Sequence, residues 1–267
     1  MRTVLTIAGS DCSGGAGIQA DIKTITAHKL YAMSVITALT AQNTMGIYGI
    51  ADTTPEFLDK QLYSIFADIV PDAVKIGMVS NAALVEVIAD YLKHYRPHNV
   101  VLDPVMISTS GSNLLDADAV DALTRQLFPL ADLVTPNIPE AAKLAGVAVD
   151  SEKQMEEAAA RLTLRYPCAV LVKGGHEERM ANDLLYQNGE GHWFPGEKIE
   201  NPNTHGTGCT LSSAIAANLA QGYRMGESVS RAKKYLSGAI GAGLNLGRGE
   251  GPLEHTYWLT IKRDTIS

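Results

Sequence analysis

Short apolar runs alternate with longer amphipathic segments along most of this chain, and this alternation limits the possible folds more than any other feature. The apolar runs lie at residues 3–8, 35–40, 73–76, 100–102, 133–135 and 169–172, and the amphipathic segments lie at 82–95, 118–128, 154–166, 210–221 and 227–244. Strands that are hydrophobic throughout suit a sheet that is covered on both faces, and the alternation is typical of parallel βαβ units. The pattern predicts an α/β fold with a mostly parallel central sheet and helices on both faces.

Two further patterns complete the predicted architecture. Residues 183–187 and 192–194 flank a turn that begins with Asn188-Gly189, which predicts a β-hairpin at one edge of the sheet. Because no Pro- or Ser-rich linker, repeat or low-complexity block interrupts the chain, the sequence predicts one domain over residues 1–267. Residues 108–115 are rich in Ser and Gly and are a candidate lid.

Composition excludes several classes of function. The net charge is −7, and no basic cluster is longer than residues 231–234, so we expect no nucleic-acid partner. No apolar run approaches the roughly 20 residues that cross a bilayer, and the N-terminal segment lacks a cleavage signal, so we expect no membrane partner and a cytoplasmic location. The three cysteines lack disulfide-framework or zinc-site spacing. The expected partner is a small molecule.

A glycine-rich turn runs directly into one of the predicted helices. The turn immediately precedes the helix predicted over 210–221 and consists of Gly206, Thr207, Gly208 and Cys209. Glycine lets the backbone approach an anion closely, and the free amide groups and positive dipole end of a helix N-terminus stabilise negative charge. The turn is therefore a candidate phosphate or oxyanion cradle. The alternative is a helix N-cap that requires small residues.

Four polar or charged residues lie just after predicted strands, which is where ligands bind in open α/β sheets. They are Asp103, Asn137, Glu140 and Lys173. The oxygens of Asp103 and Glu140 suit Mg²⁺ held through water and substrate phosphates, although Asn137 and Glu140 also fit a helix N-cap. Lys173 is either a phosphate-binding group or a solvated strand-end lysine. Combined with the cradle, these residues predict magnesium-dependent phosphoryl transfer.

The sequence does not match either of two common nucleotide-binding fingerprints in full. A Walker A loop is absent from the sequence. Residues 15–20 match Gly-x-Gly-x-x-Gly/Ala, but a polar stretch separates them from the preceding strand, and no acidic residue occurs between Ile22 and Ala51 to bind a ribose. A dinucleotide-dependent oxidoreductase is therefore disfavoured.

Seven segments together resemble a known family. They lie at residues 5–21, 34–44, 75–78, 101–106, 135–140, 172–176 and 203–209, and they include Gly9-Ser10-Asp11, Asp103-Pro104-Val105-Met106 and Gly206-Thr207-Gly208-Cys209. In this order they resemble the hydroxymethylpyrimidine/phosphomethylpyrimidine kinases of thiamine biosynthesis, which belong to the ribokinase-like superfamily. The resemblance implies a three-layer sandwich, ATP and Mg²⁺ as cofactors, an aminopyrimidine substrate that is phosphorylated twice, and a homodimer.

The resemblance also implies roles for individual residues. The substrate ring is expected against Ala16, Asp21, Gln42, Met78 and Val105. Its hydroxymethyl group is expected to point at Gly206, Thr207, Gly208 and Cys209. The nucleotide and its metal are expected near Asp103, Asn137, Glu140, Lys173 and Thr204, with Asp103 and Glu140 holding the metal through water. Many related sugar kinases have an aspartate base where this chain has Cys209. A helix N-terminus lowers the pKa of a thiol, so Cys209 is expected to be a thiolate base, or otherwise a small residue that lines the pocket.

Three other functions remain open from the sequence. Related pyridoxal kinases carry a second cysteine shortly after the segment that matches residues 103–106, and this chain has none there, which favours the pyrimidine substrate. A pyridoxal kinase, a dinucleotide oxidoreductase and a non-catalytic vitamin-binding protein are the alternatives. Cys12 departs from the family pattern, and nothing in the sequence explains it.

Overall fold

A computed structural model describes residues 1–106, 117–175, 182–196 and 199–259. Among these residues, nine strands form one sheet in the order β3-β2-β1-β4-β5-β6-β7-β8-β9. The strands are β1 (Thr3–Asp11), β2 (Tyr31–Asn43), β3 (Gly46–Asp52), β4 (Ala73–Ile76), β5 (Val100–Leu102), β6 (Leu133–Val134), β7 (Ala169–Val172), β8 (Asp183–Gln187) and β9 (Glu190–Phe194). The candidate lid at 108–115 lies outside the described residues.

The centre of the sheet is parallel and its edges are antiparallel. The six central strands pair in parallel, in the order β2, β1, β4, β5, β6 and β7. At one edge β3 pairs antiparallel with β2, and at the other edge β8 pairs antiparallel with both β7 and β9. The predicted hairpin is confirmed as β8 and β9, and its turn residues Asn188 and Gly189 both have positive φ, as a type I′ turn requires. Strand β3 was not predicted from the sequence.

Eight α-helices connect these strands within the described part of the chain. They are α1 (Gly17–Ala27), α2 (Pro55–Phe66), α3 (Ala82–Tyr95), α4 (Ala117–Ala122), α5 (Ile138–Ala145), α6 (Glu152–Arg165), α7 (Thr207–Ala220) and α8 (Met225–Gly241). Helix α4 continues into a π-helical turn over Leu123–Leu127 and a 3₁₀ turn over Phe128–Leu130. Helices α1 and α2 were missed by the sequence analysis.

Two apolar clusters lie on opposite faces of the sheet. One contains Leu5 and Ile7 of β1 together with residues of α2 to α6. The other contains Val4 of β1 together with residues of α1, α7 and α8. The predicted three-layer α/β sandwich with a mostly parallel sheet is therefore confirmed. No helix in the described residues is long and apolar enough to cross a membrane.

Candidate active site

The glycine-rich turn forms the N-terminus of α7, as predicted. Gly206 is the N-cap residue, with φ of +85°, and within the described part of the chain no side-chain capping hydrogen bond is formed at this end of the helix. A β-carbon at Gly206 would collide with the carbonyl oxygen of Gly15, so this position requires glycine. Thr204 lies just before the turn, and its carbonyl accepts a hydrogen bond from Thr207 N. The uncapped amides and the helix dipole make the turn suited to an anion.

Lys173 and Asp103 form an ion pair beside this turn. Lys173 Nζ lies 2.7 Å from Asp103 Oδ1, and Thr135 donates a hydrogen bond to the same oxygen. A β-carbon at Gly208 would lie 3.3 Å from Asp103 Oδ2 and 3.4 Å from Lys173 Nζ, which puts both groups against the backbone of the cradle. Burial lowers the pKa of Lys173, but the carboxylates of Asp103 and Glu140 outweigh burial and raise it. Lys173 is therefore cationic and is a paired residue rather than a solvated one.

Asn137 and Glu140 form a capping box at the start of α5. Asn137 Oδ1 accepts from Glu140 N at 2.8 Å, and Glu140 Oε2 accepts from Asn137 N at 2.9 Å. The second oxygen of Glu140 accepts from Met106 N at 3.2 Å. Burial raises the pKa of Glu140. The N-cap interpretation of these two residues is correct, and any contact of Glu140 with a metal through water would add to these bonds.

The donor set fits a magnesium ion that is held largely by phosphate. No group of three or more His, Cys, Asp or Glu side chains that could hold a metal occurs among residues 1–106, 117–175, 182–196 and 199–259. Asp103 Oδ2 faces the cradle, and its hydrogen-bond contact within the described residues is a long one, 3.5 Å, with the Ser212 hydroxyl. Mg²⁺ retains several waters and takes one or two carboxylates plus substrate phosphates, so this set is sufficient only with a phosphate ligand present.

Asp11, at the end of β1, organises the loop that precedes α1. Its carboxylate accepts from the backbone N–H groups of Ser13, Gly15 and Ala16 and from the Ser13 hydroxyl, at 2.8 to 3.0 Å. Burial raises the pKa of Asp11, but hydrogen bonds from His205, Ser13 and Ala16 outweigh it and lower the pKa to about 2. Asp11 is therefore ionised at neutral pH. It fixes the position of Ala16, the N-cap residue of α1.

His205 joins this loop to Gln42. Its Nε2 lies 2.9 Å from Asp11 Oδ2 and 2.9 Å from the side-chain amide of Gln42, at the end of β2. The backbone of Gln42 is held by Cys12, whose thiol donates to Gln42 O and accepts from Gln42 N. Asp11 and His205 were not identified from the sequence, because 194 residues separate them.

Met78 and Val105 lie on the same edge of the sheet. Both are half-buried. Met78 O accepts a hydrogen bond from Thr37, and Val105 N donates to Asp103 O. Met78 also lies above Gly9, since a β-carbon there would be 3.4 Å from its sulfur. Both side chains follow parallel strands at their carboxyl ends, where the sequence placed the ligand.

Asp21 does not present a free carboxylate to a ligand. It is fully buried, and both of its oxygens lie 2.9 Å from the ammonium of Lys75, which is also fully buried. Thr6 and Ser213 donate two further hydrogen bonds to it. The expected contact of Asp21 with the substrate stays a prediction, and in this structure both carboxylate oxygens are engaged within the protein. The role of Asp21 is to hold Lys75, a residue for which the sequence analysis gave no function.

The surroundings of Cys209 raise the pKa of its thiol, which disfavours the expected thiolate at neutral pH. Burial raises the pKa of Cys209, Lys75 acts in the opposite direction, and the carboxylates of Asp21 and Asp103 raise it further. Cys209 lies in the first turn of α7, because the helix begins at Thr207 rather than at the predicted residue 210, and burial with the two anions outweighs the effect of Lys75 on its pKa. Cys209 is therefore mainly a thiol at neutral pH.

Comparison with known families and curated proteins gives consistent matches. The family described as phosphomethylpyrimidine kinase matches residues 11–254. A thiamine biosynthesis bifunctional protein of Geobacter sulfurreducens is 50% identical over 98% of this chain, which spans 54% of that protein's length. A hydroxymethylpyrimidine/phosphomethylpyrimidine kinase of Rhizobium meliloti is 49% identical over 95% of this chain and 96% of its own length.

Solved structures match the fold over nearly the whole chain. A phosphomethylpyrimidine kinase from Clostridium difficile 630 has a TM-score of 0.81 and 44% identity, and covers 90% of this chain and 100% of that chain. A pyridoxal kinase from Staphylococcus aureus, in complex with AMP-PCP and pyridoxal, has a TM-score of 0.88 but only 30% identity, over 97% of this chain and 94% of that chain. Sequence similarity is thus greater to the pyrimidine kinase.

Proposed function

The chain belongs to the phosphomethylpyrimidine kinase family, and from this membership we propose that it transfers the γ-phosphoryl group of ATP to 4-amino-5-hydroxymethyl-2-methylpyrimidine and then to the resulting monophosphate. The product is the diphosphate used to build thiamine. The observation that carries the proposal is the uncapped N-terminus of α7 with the Lys173–Asp103 pair against it. This is an arrangement for binding a transferring phosphoryl group between two substrates.

The chemistry required of the protein is mainly positioning and charge neutralisation. The backbone amides of Gly208 and Cys209 and the ammonium of Lys173 surround the position where negative charge develops on the transferred group. Asp103 holds Lys173 in place through their 2.7 Å contact. Use of ATP is supported by the complex of the related pyridoxal kinase with AMP-PCP.

A magnesium ion would be held by Asp103, with Glu140 behind it through water. When bound, such an ion neutralises charge on the phosphate oxygens. The Glu140 contact with Met106 N connects this position to the start of the segment 107–116. We propose that residues 108–115 act as the lid that excludes water during transfer.

The pyrimidine is proposed to lie between the Asp11 loop and the end of β2. The Ala16 backbone and the Gln42 amide supply polar contacts, and Met78 and Val105 supply apolar cover. In the first step the thiolate form of Cys209, whose population increases as pH rises towards the raised pKa of the thiol, takes the proton of the hydroxymethyl group and becomes the thiol. In the second step the acceptor phosphate is already ionised, so that step needs no base.

The proposal is tested by measuring ADP formation with three acceptors under identical conditions. We expect kcat/KM for the hydroxymethylpyrimidine and for its monophosphate to exceed that for pyridoxal by at least about 100-fold, the order of discrimination that matched polar contacts supply. Turnover of pyridoxal alone would make the chain a pyridoxal kinase. Pyrimidine binding without ADP formation would make it a binding protein.

We further propose that the protein is a homodimer that acts in the cytoplasm. The dimer is supported by exposed apolar side chains on β2 and β3, where Leu39 is 55% exposed, Tyr48 71% and Ile50 43%. An exposed apolar surface on an edge strand is a common site of self-association. Light scattering of the wild type and of Tyr48→Lys tests this, and a monomeric wild type would contradict it. The cytoplasmic location stays a prediction.

A further inference from the structure

The contacts of His205 determine which end of the Gln42 amide faces the substrate pocket. One ring nitrogen, Nε2, lies 2.9 Å from Asp11 Oδ2 and also 2.9 Å from the amide atom assigned as Gln42 Nε2. An amide nitrogen is a donor only, and a carboxylate oxygen is an acceptor only. The same ring nitrogen cannot satisfy both of these partners, because it is either protonated or carries a lone pair.

The contact with Asp11 decides which ring nitrogen carries a hydrogen. Asp11 Oδ2 offers only lone pairs, so its 2.9 Å contact with His205 Nε2 is a hydrogen bond only when that nitrogen is the donor. Nε2 of His205 therefore carries a hydrogen, whether the imidazole as a whole is neutral or cationic. A protonated Nε2 cannot accept from an amide N–H, so the Gln42 atom at 2.9 Å must be the amide oxygen. Amide nitrogen and oxygen are assigned from such hydrogen-bond logic.

Thr40 is compatible with this orientation. Its hydroxyl donates to Ser10 O at 3.0 Å and lies 3.4 Å from the other end of the Gln42 amide. Because the hydroxyl hydrogen is already engaged, Thr40 Oγ1 has lone pairs for an N–H of Gln42. With the oxygen towards His205, the amide NH₂ group lies on the Thr40 side and has a second N–H for a ligand.

Gly15 allows His205 to occupy this position. A β-carbon at Gly15 would collide with Cδ2 of His205. The imidazole is thus packed directly on the backbone of the loop that Asp11 organises. His205 is 14% exposed at its side chain and is held on one side by Asp11 and on another by this loop.

We propose that Asp11 and His205 are positioning residues that fix the orientation of the Gln42 amide. The amide oxygen points towards His205 and the NH₂ group towards a ring-nitrogen acceptor of the substrate. In this orientation the site selects the edge of a 4-aminopyrimidine. This inference rests on the proposed function and identifies the origin of its specificity. A 4-aminopyrimidine presents the N3 acceptor beside an amine donor, which matches an amide in that orientation. The 4-oxo analogue presents an N3–H donor beside a carbonyl acceptor, which is the reverse pattern.

The test compares the affinities of these two compounds by calorimetry in the absence of ATP. We expect the wild type to bind the 4-amino compound at least about 100-fold more tightly than the 4-oxo analogue, since the mismatch opposes two hydrogen bonds at about tenfold each. In His205→Leu, which lacks the N–H, the amide is free to turn, and the ratio should fall by about tenfold. His205→Gln retains an N–H donor and should restore most of the ratio.

The outcomes separate the inference from the proposed function. If His205 only fills space, His205→Leu weakens both compounds equally and leaves the ratio unchanged, which would overturn the inference while the function stands. A wild type that binds neither compound would overturn the proposed function. Should His205→Leu fail to fold, Gln42→Glu provides the second test. An ionised carboxylate offers acceptors only, so it matches one group and opposes one group in each compound, and it should remove most of the wild-type preference for the 4-amino compound. An unchanged preference there would also overturn the inference.

Discussion

Replacing Lys75 with methionine removes the positive charge of a buried ion pair while keeping a side chain of similar length. The Lys75 and Asp21 side chains are both fully buried, and Lys75 Nζ is 2.9 Å from each carboxylate oxygen. After Lys75→Met, the donors to Asp21 that remain among the described residues are the hydroxyls of Thr6 and Ser213. An unpaired buried charge costs about 3–5 kcal/mol, so we expect the free energy of unfolding to fall by that amount.

The assay is chemical or thermal unfolding followed by circular dichroism. At about 2 °C per kcal/mol for a chain of this size, Tm should fall by about 6–10 °C. The Lys93–Asp90 pair is exposed, with side chains 53% and 76% accessible, so the control Lys93→Met should change stability by less than about 1 kcal/mol. Adding Asp21→Asn to Lys75→Met removes the unpaired anion, and the two changes should be coupled by at least about 1 kcal/mol.

The pH dependence gives an independent check on the same pair. The pKa of Lys75 is raised above its ordinary 10.5, because Asp21 outweighs the effect of burial. Its contribution to stability is therefore fully present below the unfolded pKa and is lost only as pH rises through the higher folded value. The loss caused by Lys75→Met should not change between about pH 6 and pH 9. A loss below about 1 kcal/mol would refute the reasoning.

Three further substitutions test separate parts of the site. Cys209→Ala should slow phosphorylation of the alcohol by about 10²–10⁴-fold and phosphorylation of the monophosphate much less. Because burial raises the pKa of Cys209, the wild-type rate of alcohol phosphorylation should still increase through about pH 9. Equal losses in both steps would remove the base assignment. Gln42→Ala should weaken pyrimidine binding and leave ATP affinity nearly unchanged, as measured by calorimetry; a parallel loss for ATP would place Gln42 outside the acceptor pocket. Asp11→Asn should cost about 1–2 kcal/mol at neutral pH after allowance for solvent screening. Because the folded pKa of Asp11 is about 2, against 3.8 when unperturbed, this difference should shrink as pH falls from about 4 to 2, which thermal unfolding would detect.

The sheet was predictable because its central strands carry uniform apolar runs, whereas the missed elements carry mixed signals. Strand β3 contains two glycines and is exposed over most of its length. Helix α1 contains Thr-Ile-Thr, which resembles a strand, and follows a glycine-rich loop. Helix α2 had a readable signal that was overlooked, since Thr54 caps it and Pro55 is its first residue.

The site was predictable to the level of its loops, but not to the level of its charges. The cradle could be located because glycines before a helix have a local conformational cause. The charge environments of Asp21 and Cys209 depend on Lys75, which is distant in sequence, so local motifs could not indicate them. Lys75 itself left one trace, as a lysine within the otherwise apolar strand Ala73–Ile76. Asp11 and His205 left no pairing signal in a single sequence.

The central claim is that one site phosphorylates the hydroxymethylpyrimidine twice. The most direct measurement is the mass of the products formed from this compound with ATP and Mg²⁺ over time. Successive appearance of the monophosphate and the diphosphate, with both abolished or strongly slowed in Lys173→Met, is the predicted result. A product that stops at the monophosphate, or no phosphorylated pyrimidine at all, would contradict the claim.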